Sequence, residues 1–146
     1  GDTSQRRQLF MRTRNLGFQM VQAVHPSALI GWNVSLGAGV ALLAGSIVNS
    51  GTTLSANVII NTGAQLDHDC YVGEHTHIAP GARIAGGVRI EGDVHVGIGA
   101  TLIQGVHIGA GTIIGAGAVV LKDVPAHVTV VGIPAQIIKQ HTTDLE

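Results

Sequence analysis

An aliphatic residue recurs at every sixth position of this 146-residue chain, from Ile30 to Val120, without a miss. The set is Ile30, Leu36, Leu42, Val48, Leu54, Ile60, Leu66, Val72, Ile78, Ile84, Ile90, Val96, Leu102, Ile108, Ile114 and Val120. A period of six fits neither an α-helix nor a simple alternating strand, but it is typical of a parallel β-helix. Three such hexads make one triangular coil, so the sequence predicts an all-β solenoid of about five coils.

The composition agrees with a narrow prism. Glycine accounts for 21 of the 146 residues, whereas the aromatic residues are few, namely Phe10, Phe18, Trp32 and Tyr71. The axis of such a prism accepts aliphatic side chains but few rings, and its corners need residues that tolerate positive φ.

Charge and hydropathy exclude several classes of protein. The net charge of −1, with eight Lys and Arg residues, argues against nucleic-acid binding. No run of 18 apolar residues predicts a transmembrane helix, and no signal peptide is evident at the start. The single cysteine excludes an internal disulfide, which is typical of the reducing cytoplasm.

Residues 1–24 lack the repeat and form a separate predicted segment. Asp2-Thr3-Ser4 can cap a helix that runs to about Leu16, and Gly17 is suited to end it. Residues 18–24 are predicted to form a strand. A lone helix and strand cannot fold alone, so we expect them to dock on the prism, on another subunit or on a further domain.

The repeat predicts the β-helix domain at residues 25–126 and a C-terminal cap and tail at 127–146. The pattern fails at Ala126, and prolines return in this region after a long absence. We expect a terminal strand here, because the last coil of a solenoid needs capping.

Residues 67–77 differ from the bland repeat around them, because they contain three carboxylates and three histidines. The corners of a prism need only Gly, Asn, Asp or Ser, so packing does not explain this density. The segment therefore predicts a functional site.

Stacking gives that segment a geometry. Residues 18 apart lie above one another in successive coils, so His77 and His95 should stack, and Gly86 should lie above His68. His68 could then accept a proton, Asp69 could orient it, and the Gly86 N–H could stabilise an oxyanion. Cys70 occupies a small, inward position, and we interpret it as inert packing rather than as a nucleophile.

Five segments carry a resemblance to a known family: Asn61-Thr62-Gly63-Ala64, Asp67-His68-Asp69-Cys70, His77-Ile78-Ala79-Pro80-Gly81, Lys122-Asp123-Val124-Pro125 and Gly132-Ile133-Pro134-Ala135. With the hexads, they resemble the hexapeptide-repeat acyltransferases. More narrowly, the chain is similar to the sialic acid O-acetyltransferase and bacterial nucleotide-aminosugar N-acetyltransferase family (NeuD/PglD/PerB-like).

This resemblance implies a left-handed β-helix, a homotrimer, and acetyl-CoA bound as co-substrate between adjacent prisms. By position, it implies that His68 is the general base and Asp69 its acidic modulator. It also implies that Asn61 is a polar support nearby and that the Gly86 amide donates to the oxyanion. No metal ligand is implied.

The resemblance also implies the residues that bind the co-substrate. His77 would contact acetyl-CoA near the thioester, Gly86 would donate its amide there, and Ile98 and Ala116 would give backbone contacts to the pantetheine arm.

The predicted reaction is direct transfer of acetyl to the amino group of a nucleotide-linked aminosugar. O-acetylation of a sialic acid or related glycan is the first alternative. A zinc protein like the hexapeptide-repeat carbonic anhydrases is another, with His68, His77 and His95 as candidate ligands, although the spacing does not match. A non-catalytic scaffold is the last.

The chain departs from the family at its start. Members usually carry an N-terminal Rossmann-like domain that binds the nucleotide sugar, and residues 1–24 resemble only its final segment. Gly1-Asp2-Thr3 resembles a Gly-Asp-Asn turn near the sugar nucleotide, and the first residue is Gly rather than Met. We therefore expect a truncated chain, a proteolytic core, or a variant that uses another acceptor.

Overall fold

The structure is a computed structural model that describes residues 3–141. The predictions that fall on Gly1, on Asp2 and on residues 142–146 lie outside the described residues. Within the described part there are one α-helix, α1 (Thr3–Asn15), and nineteen strands. In chain order, β1–β19 are Ala23–Val24, Leu29–Ile30, Ser35–Leu36, Ala41–Leu42, Ile47–Val48, Thr53–Leu54, Ile59–Ile60, Gln65–Leu66, Tyr71–Val72, His77–Ile78, Arg83–Ile84, Arg89–Ile90, His95–Val96, Thr101–Leu102, His107–Ile108, Ile113–Ile114, Val119–Val120, Val128–Val131 and Gln136–Gln140.

The strands form three sheets that enclose a triangular prism. Sheet A has the order β1-β4-β7-β10-β13-β16-β18-β19, sheet B the order β17-β14-β11-β8-β5-β2, and sheet C the order β15-β12-β9-β6-β3. Every neighbouring pair up to β18 is parallel with a register of 18 residues or close to it, as in His77 opposite His95. This confirms the predicted all-β parallel solenoid and is consistent with a left-handed β-helix.

The recurring aliphatic residues fill the axis of the prism. All of them are buried except the first two, Leu36, which is half-buried, and Ile30, which is 43% exposed. These two belong to the first coil, where no further coil packs beneath them. Burial of each enclosed side chain contributes roughly 1.5–3 kcal/mol to folding before entropy is counted.

The solenoid has about six turns, one more than predicted. β1 pairs with β4 and so starts the first coil, while β18 continues sheet A beyond β16. The predicted strand at 18–24 was too long, because only Ala23–Val24 finds a partner. Phe18 and Val21 are 65% and 80% exposed, so these two side chains do not pack on the prism.

Helix α1 ends as the sequence predicts. Gly17 has φ +85°, and its N–H donates to the Arg14 carbonyl, while the Phe18 N–H donates to the Thr13 carbonyl. This pair of bonds is the Schellman motif, which satisfies carbonyls at a helix end.

The helix docks on the corner between sheets C and A. The Arg6 guanidinium donates to the carbonyls of Asn57 and His75, and burial lowers the pKa of Arg6. The Phe10 ring packs edge-on against His75, with ring centroids 5.5 Å apart. Arg7 also pairs with Asp93 at 2.6 Å. The first segment therefore packs on the prism of its own chain.

The C-terminal strands cap the last coil. β18 pairs in parallel with β16, and β19 returns antiparallel to β18. This confirms a terminal strand, and it covers the β18 edge that would otherwise be open. α1 is neither long nor apolar enough to cross a membrane, and no other helix occurs between residues 3 and 141.

Candidate active site

His68 lies on the corner that joins sheet B to sheet C. Its Nδ1–H donates to Oδ2 of Asp69 at 2.9 Å, and the His68 side chain is 63% exposed. The hydrogen bond to Asp69 and the charge of Asp67 raise the pKa of His68. Because Nδ1 carries the proton, Nε2 presents a lone pair and can accept a proton from a substrate.

The backbone places the Asp69 carboxylate beside this ring. Asp69 has φ +56°, a left-handed conformation that glycine adopts at many other corners. Its carboxylate lies over Gly51, in the coil below, in the space that a Cβ of Gly51 would fill. A side chain at position 51 would therefore displace Asp69.

Asp67 fixes the other side of the corner. Its Oδ1 accepts the His68 N–H at 2.8 Å and the Asn49 Nδ2–H at 3.0 Å. These two hydrogen bonds, that from Asn49 being the larger cause, lower the pKa of Asp67. The hydroxyl of Thr52 donates to the Asp67 carbonyl at 3.1 Å, so the turn is tied to the coil beneath it.

The sequence reasoning missed Asn49 and Gly51. Both could have been found, because they precede Asp67 and Asp69 by 18 residues, and only the coil above His68 was considered. The residues in the coil below, Asn49 and Gly51, contact the carboxylates beside His68. The coil above shows what the His68–Asp69 pair faces.

Gly86 lies above His68, as predicted. The Gly87 N–H donates to the His68 carbonyl at 2.9 Å, and a Cβ on Gly86 would come within 2.7 Å of Nε2 of His68. The Gly86 N–H has no acceptor among residues 3–141. An unpaired amide thus stands beside the free nitrogen of the imidazole.

Cys70 is 2% exposed and points into the core. Its thiol donates to the Ala85 carbonyl at 3.3 Å, and burial raises the pKa of the thiol. Since the thiolate is the reactive form, Cys70 is a packing residue.

Asn61 and His77 form a second cluster on sheet A. Asn61 Nδ2 lies 3.0 Å from Nε2 of His77, and the His77 and His95 rings pack edge-on with centroids 5.1 Å apart. Burial and the neighbouring His95 lower the pKa of His77 to about 4. A groove of about 450 Å³ separates this cluster from α1, with Leu9 and Ile59 among its walls.

Ile98 and Ala116 stack on the corner between sheets A and B. The Gly117 N–H donates to the Ile98 carbonyl at 2.8 Å, and the Ile98 side chain is exposed. Ile98 and Ala116 lie in successive coils, as predicted. Their corner adjoins sheet A and is not the corner that carries His68.

The predicted site residues therefore fall on two sides of the prism. His68, Asp69 and Gly86 lie on the corner between sheets B and C, which is opposite sheet A with Asn61 and His77. The single chain does not bring Asn61 near His68. His75 is buried on the third corner, where its Nδ1 contacts Nδ2 of Asn57 at 2.9 Å. The histidines of residues 67–77 are thus separated because the segment winds around the prism.

A depression of about 300 Å³ adjoins His68 on sheet B, and it is lined by Asn49, Gln65, Asp67 and Arg83 among others. In the described part of this one chain, no three His, Cys, Asp or Glu side chains converge in a way that could hold a metal ion.

Comparison with known proteins gives matches over nearly the whole chain. The family model described as bacterial transferase hexapeptide (six repeats) matches residues 51–86 and 87–122. The chain is similar to PerB from Caulobacter crescentus, solved with CoA and GDP-perosamine, with 45% identity, a TM-score of 0.92, and coverage of 94% of this chain and 67% of that chain. No match is found among the curated proteins.

Two further solved structures extend the comparison. The acetyltransferase domain of PglB from Neisseria gonorrhoeae has 37% identity and a TM-score of 0.92, with 93% of this chain and 66% of that chain covered. AntD, an N-acyltransferase from Bacillus cereus, has 17% identity and a TM-score of 0.78, covering 92% and 90% of the two chains, so it shares the fold. The chain thus spans about two thirds of the length of PerB and PglB.

Proposed function

This chain belongs to the hexapeptide-repeat acyltransferases, as the sequence predicts, and we propose that it transfers acetyl from acetyl-CoA to the amino group of a nucleotide-linked aminosugar. The relatives support both substrates. PerB was solved with CoA and GDP-perosamine, and the PglB domain was solved with acetyl coenzyme A. Because the chain spans two thirds of the length of these relatives, we propose a class of acceptor, the nucleotide-linked aminosugars, and no individual sugar.

His68 is the general base of this proposal. Asp69 holds the proton on Nδ1, so Nε2 is free to take a proton from the acceptor amine as that amine attacks the thioester carbonyl. The C–N bond forms, the C–S bond breaks, and CoA leaves as a thiol after receiving the proton from the His68 imidazolium. Both carboxylates of the corner stabilise the imidazolium in the meantime.

Gly86 stabilises the tetrahedral intermediate. Its N–H is unpaired within residues 3–141 and lies beside the His68 ring, where the carbonyl oxygen of the thioester gains negative charge. One such donor contributes about 2.7–4 kcal/mol to transition-state stabilisation. The adjacency of the His68–Asp69 pair to this amide is the observation that carries the proposal.

A homotrimer completes the site in this proposal. Asn61 and His77 lie opposite His68 on one prism, so they can serve the same reaction only if an adjacent subunit supplies them. Ile98 and Ala116 lie beside that second cluster and would contact the pantetheine arm. The reaction is placed in the cytoplasm, since both co-substrates are charged nucleotides.

The test is product analysis. The chain is incubated with acetyl-CoA and a panel of UDP- and GDP-linked aminosugars, and products are identified by mass spectrometry, with His68→Ala as the matched blank. An acetamide formed by the wild type supports the proposal. An ester formed on a hydroxyl would favour O-acetylation, and stoichiometric zinc without acetyl transfer would overturn the proposal. The same panel is then repeated with a longer chain that includes any residues that precede Gly1 in the natural protein.

A further inference from the structure

The side-chain amide of Asn61 has only one chemically sensible orientation. Its Oδ1 lies 2.8 Å from the backbone nitrogen of Thr62, and a backbone N–H can only donate. If the amide were flipped, two donors would face each other. The Thr62 N–H therefore fixes Oδ1 as its acceptor and turns the NH₂ group of Asn61 away from itself.

That NH₂ group faces His77. Nδ2 of Asn61 lies 3.0 Å from Nε2 of His77, and the NH₂ group can only donate, so Nε2 must accept. A neutral imidazole with an accepting Nε2 carries its proton on Nδ1. A doubly protonated ring is disfavoured too, because it would point an Nε2–H at the Asn61 donor.

We infer that Asn61 is a positioning residue that holds His77 in the neutral Nδ1–H tautomer, so that His77 offers a hydrogen-bond donor, and not a base, to the groove beside α1. The residue thus acts through His77 rather than on the reacting atoms. The backbone N–H of Thr62 fixes the orientation of the Asn61 amide, and that amide fixes the tautomer of His77.

The surroundings of His77 agree with a neutral ring. His77 is only 8% exposed, and the positively charged or titratable groups that face it are His95 on the next strand and Arg6 on α1. Burial is the main reason that the pKa of His77 falls to about 4. Nδ1 has no hydrogen-bond partner within residues 3–141, so its proton is available to a ligand.

The inference deepens the proposed function and in that part rests on it. If acetyl-CoA lies along this groove with its thioester end beside His77, the group that meets Nδ1–H of His77 must be a hydrogen-bond acceptor. On that end of the ligand, the acceptors are the carbonyl oxygens of the thioester and of the pantetheine amides. An ammonium or another donor would not be bound there.

The tautomer can be measured on the free protein by long-range ¹H–¹⁵N NMR of ¹⁵N-histidine-labelled chain at neutral pH. The His77 signals are identified by their loss in His77→Gln. We expect Nδ1 in the protonated range and Nε2 in the unprotonated range. A protonated Nε2, or rapid exchange between both tautomers, would overturn the inference.

Asn61→Asp tests the cause. A carboxylate at position 61 still accepts the Thr62 N–H but also accepts from Nε2, so we expect the proton to move to Nε2 and the titration midpoint of His77 to rise by about 1–3 pH units. Asn33→Asp, an exposed corner residue on the first coil, adds the same charge and should change neither. An unchanged tautomer in Asn61→Asp would contradict the inference.

Asn61→Ala provides the second variant. Removing the donor should release the constraint and give a mixture of the two tautomers, while a pure Nδ1–H form in this variant would show that Asn61 is not the cause. Because all these spectra are recorded without CoA, they can fail while acetyl transfer succeeds, and the reverse. The two hypotheses are therefore separable.

Discussion

The imidazole of His68 and the carboxylate of Asp69, which are adjacent in sequence, are joined by a hydrogen bond of 2.9 Å. Neighbouring side chains of an extended strand point to opposite faces. The left-handed backbone of Asp69 turns its side chain back towards His68, so a two-residue corner builds the proposed acid–base pair. The dyad is thus a local product of the same turn that closes each coil.

Asp69→Asn should shift the pH profile of catalysis. Asp69 raises the pKa of His68, chiefly through its hydrogen bond, and an amide removes that effect. Since the base must be neutral, activity rises with pH through the pKa of His68. We expect the acid limb of kcat/KM to move to lower pH in the variant and the plateau to fall. An unmoved acid limb would mean that Asp69 does not tune His68.

His68→Ala should lower kcat by about 10²–10⁴-fold, which is the usual contribution of a positioned general base. The side chain is exposed, so the melting temperature and the affinity for CoA should change little. His25→Ala is the matched control, because His25 is also an exposed histidine and lies at the first coil. Full activity in His68→Ala would remove His68 from the mechanism.

Much of the fold follows from a single period in the sequence. The aliphatic hexads define the axis, and addition of 18 to a residue number gives the neighbour in the next coil, which places Gly86 over His68 and His95 beside His77. Such relations are predictable because each coil repeats the same backbone path, so no long-range folding problem intervenes.

The rest depended on features that the period does not contain. The face that each residue of 67–77 occupies depends on its place within the coil, and the segment distributes its histidines over two corners and one face of the prism. The contact of Asn61 with His77 depends on side-chain direction. The corner on which α1 docks through Arg6 could not be predicted, because the helix lies outside the repeat.

Cys70→Ala should leave acetyl transfer intact. Cys70 fills an inward position that alanine occupies in other coils, such as Ala64 and Ala82, so the substitution fits the space. In the wild type, burial raises the pKa of the thiol, and we expect it to react with thiol reagents only on unfolding. Rapid labelling of the native protein, or loss of activity in Cys70→Ala, would contradict its role as packing.

Leu54→Ala should destabilise the prism far more than Ile30→Ala. Leu54 is 1% exposed within the stack, whereas Ile30 is 43% exposed on the first coil. Loss of a fully enclosed leucine typically costs about 2–5 kcal/mol. Urea titration at one protein concentration should therefore show a larger loss in the free energy of unfolding for Leu54→Ala than for Ile30→Ala. Equal losses would mean that the first coil is covered in solution.

Gly86→Ala tests the close approach between the two coils of the site. A methyl group on Gly86 would meet Nε2 of His68 at 2.7 Å, so we expect the exposed ring to turn away and its hydrogen bond to Asp69 to weaken. The backbone N–H is kept, and a loss of kcat, expected to approach that of His68→Ala, therefore reports on the ring. Gly92→Ala is the control, since its methyl would meet only backbone atoms of Glu74, the nearest being the carbonyl oxygen at 3.3 Å. If Gly86→Ala and Gly92→Ala both keep wild-type kcat, the imidazole of His68 does not act from its position beneath Gly86.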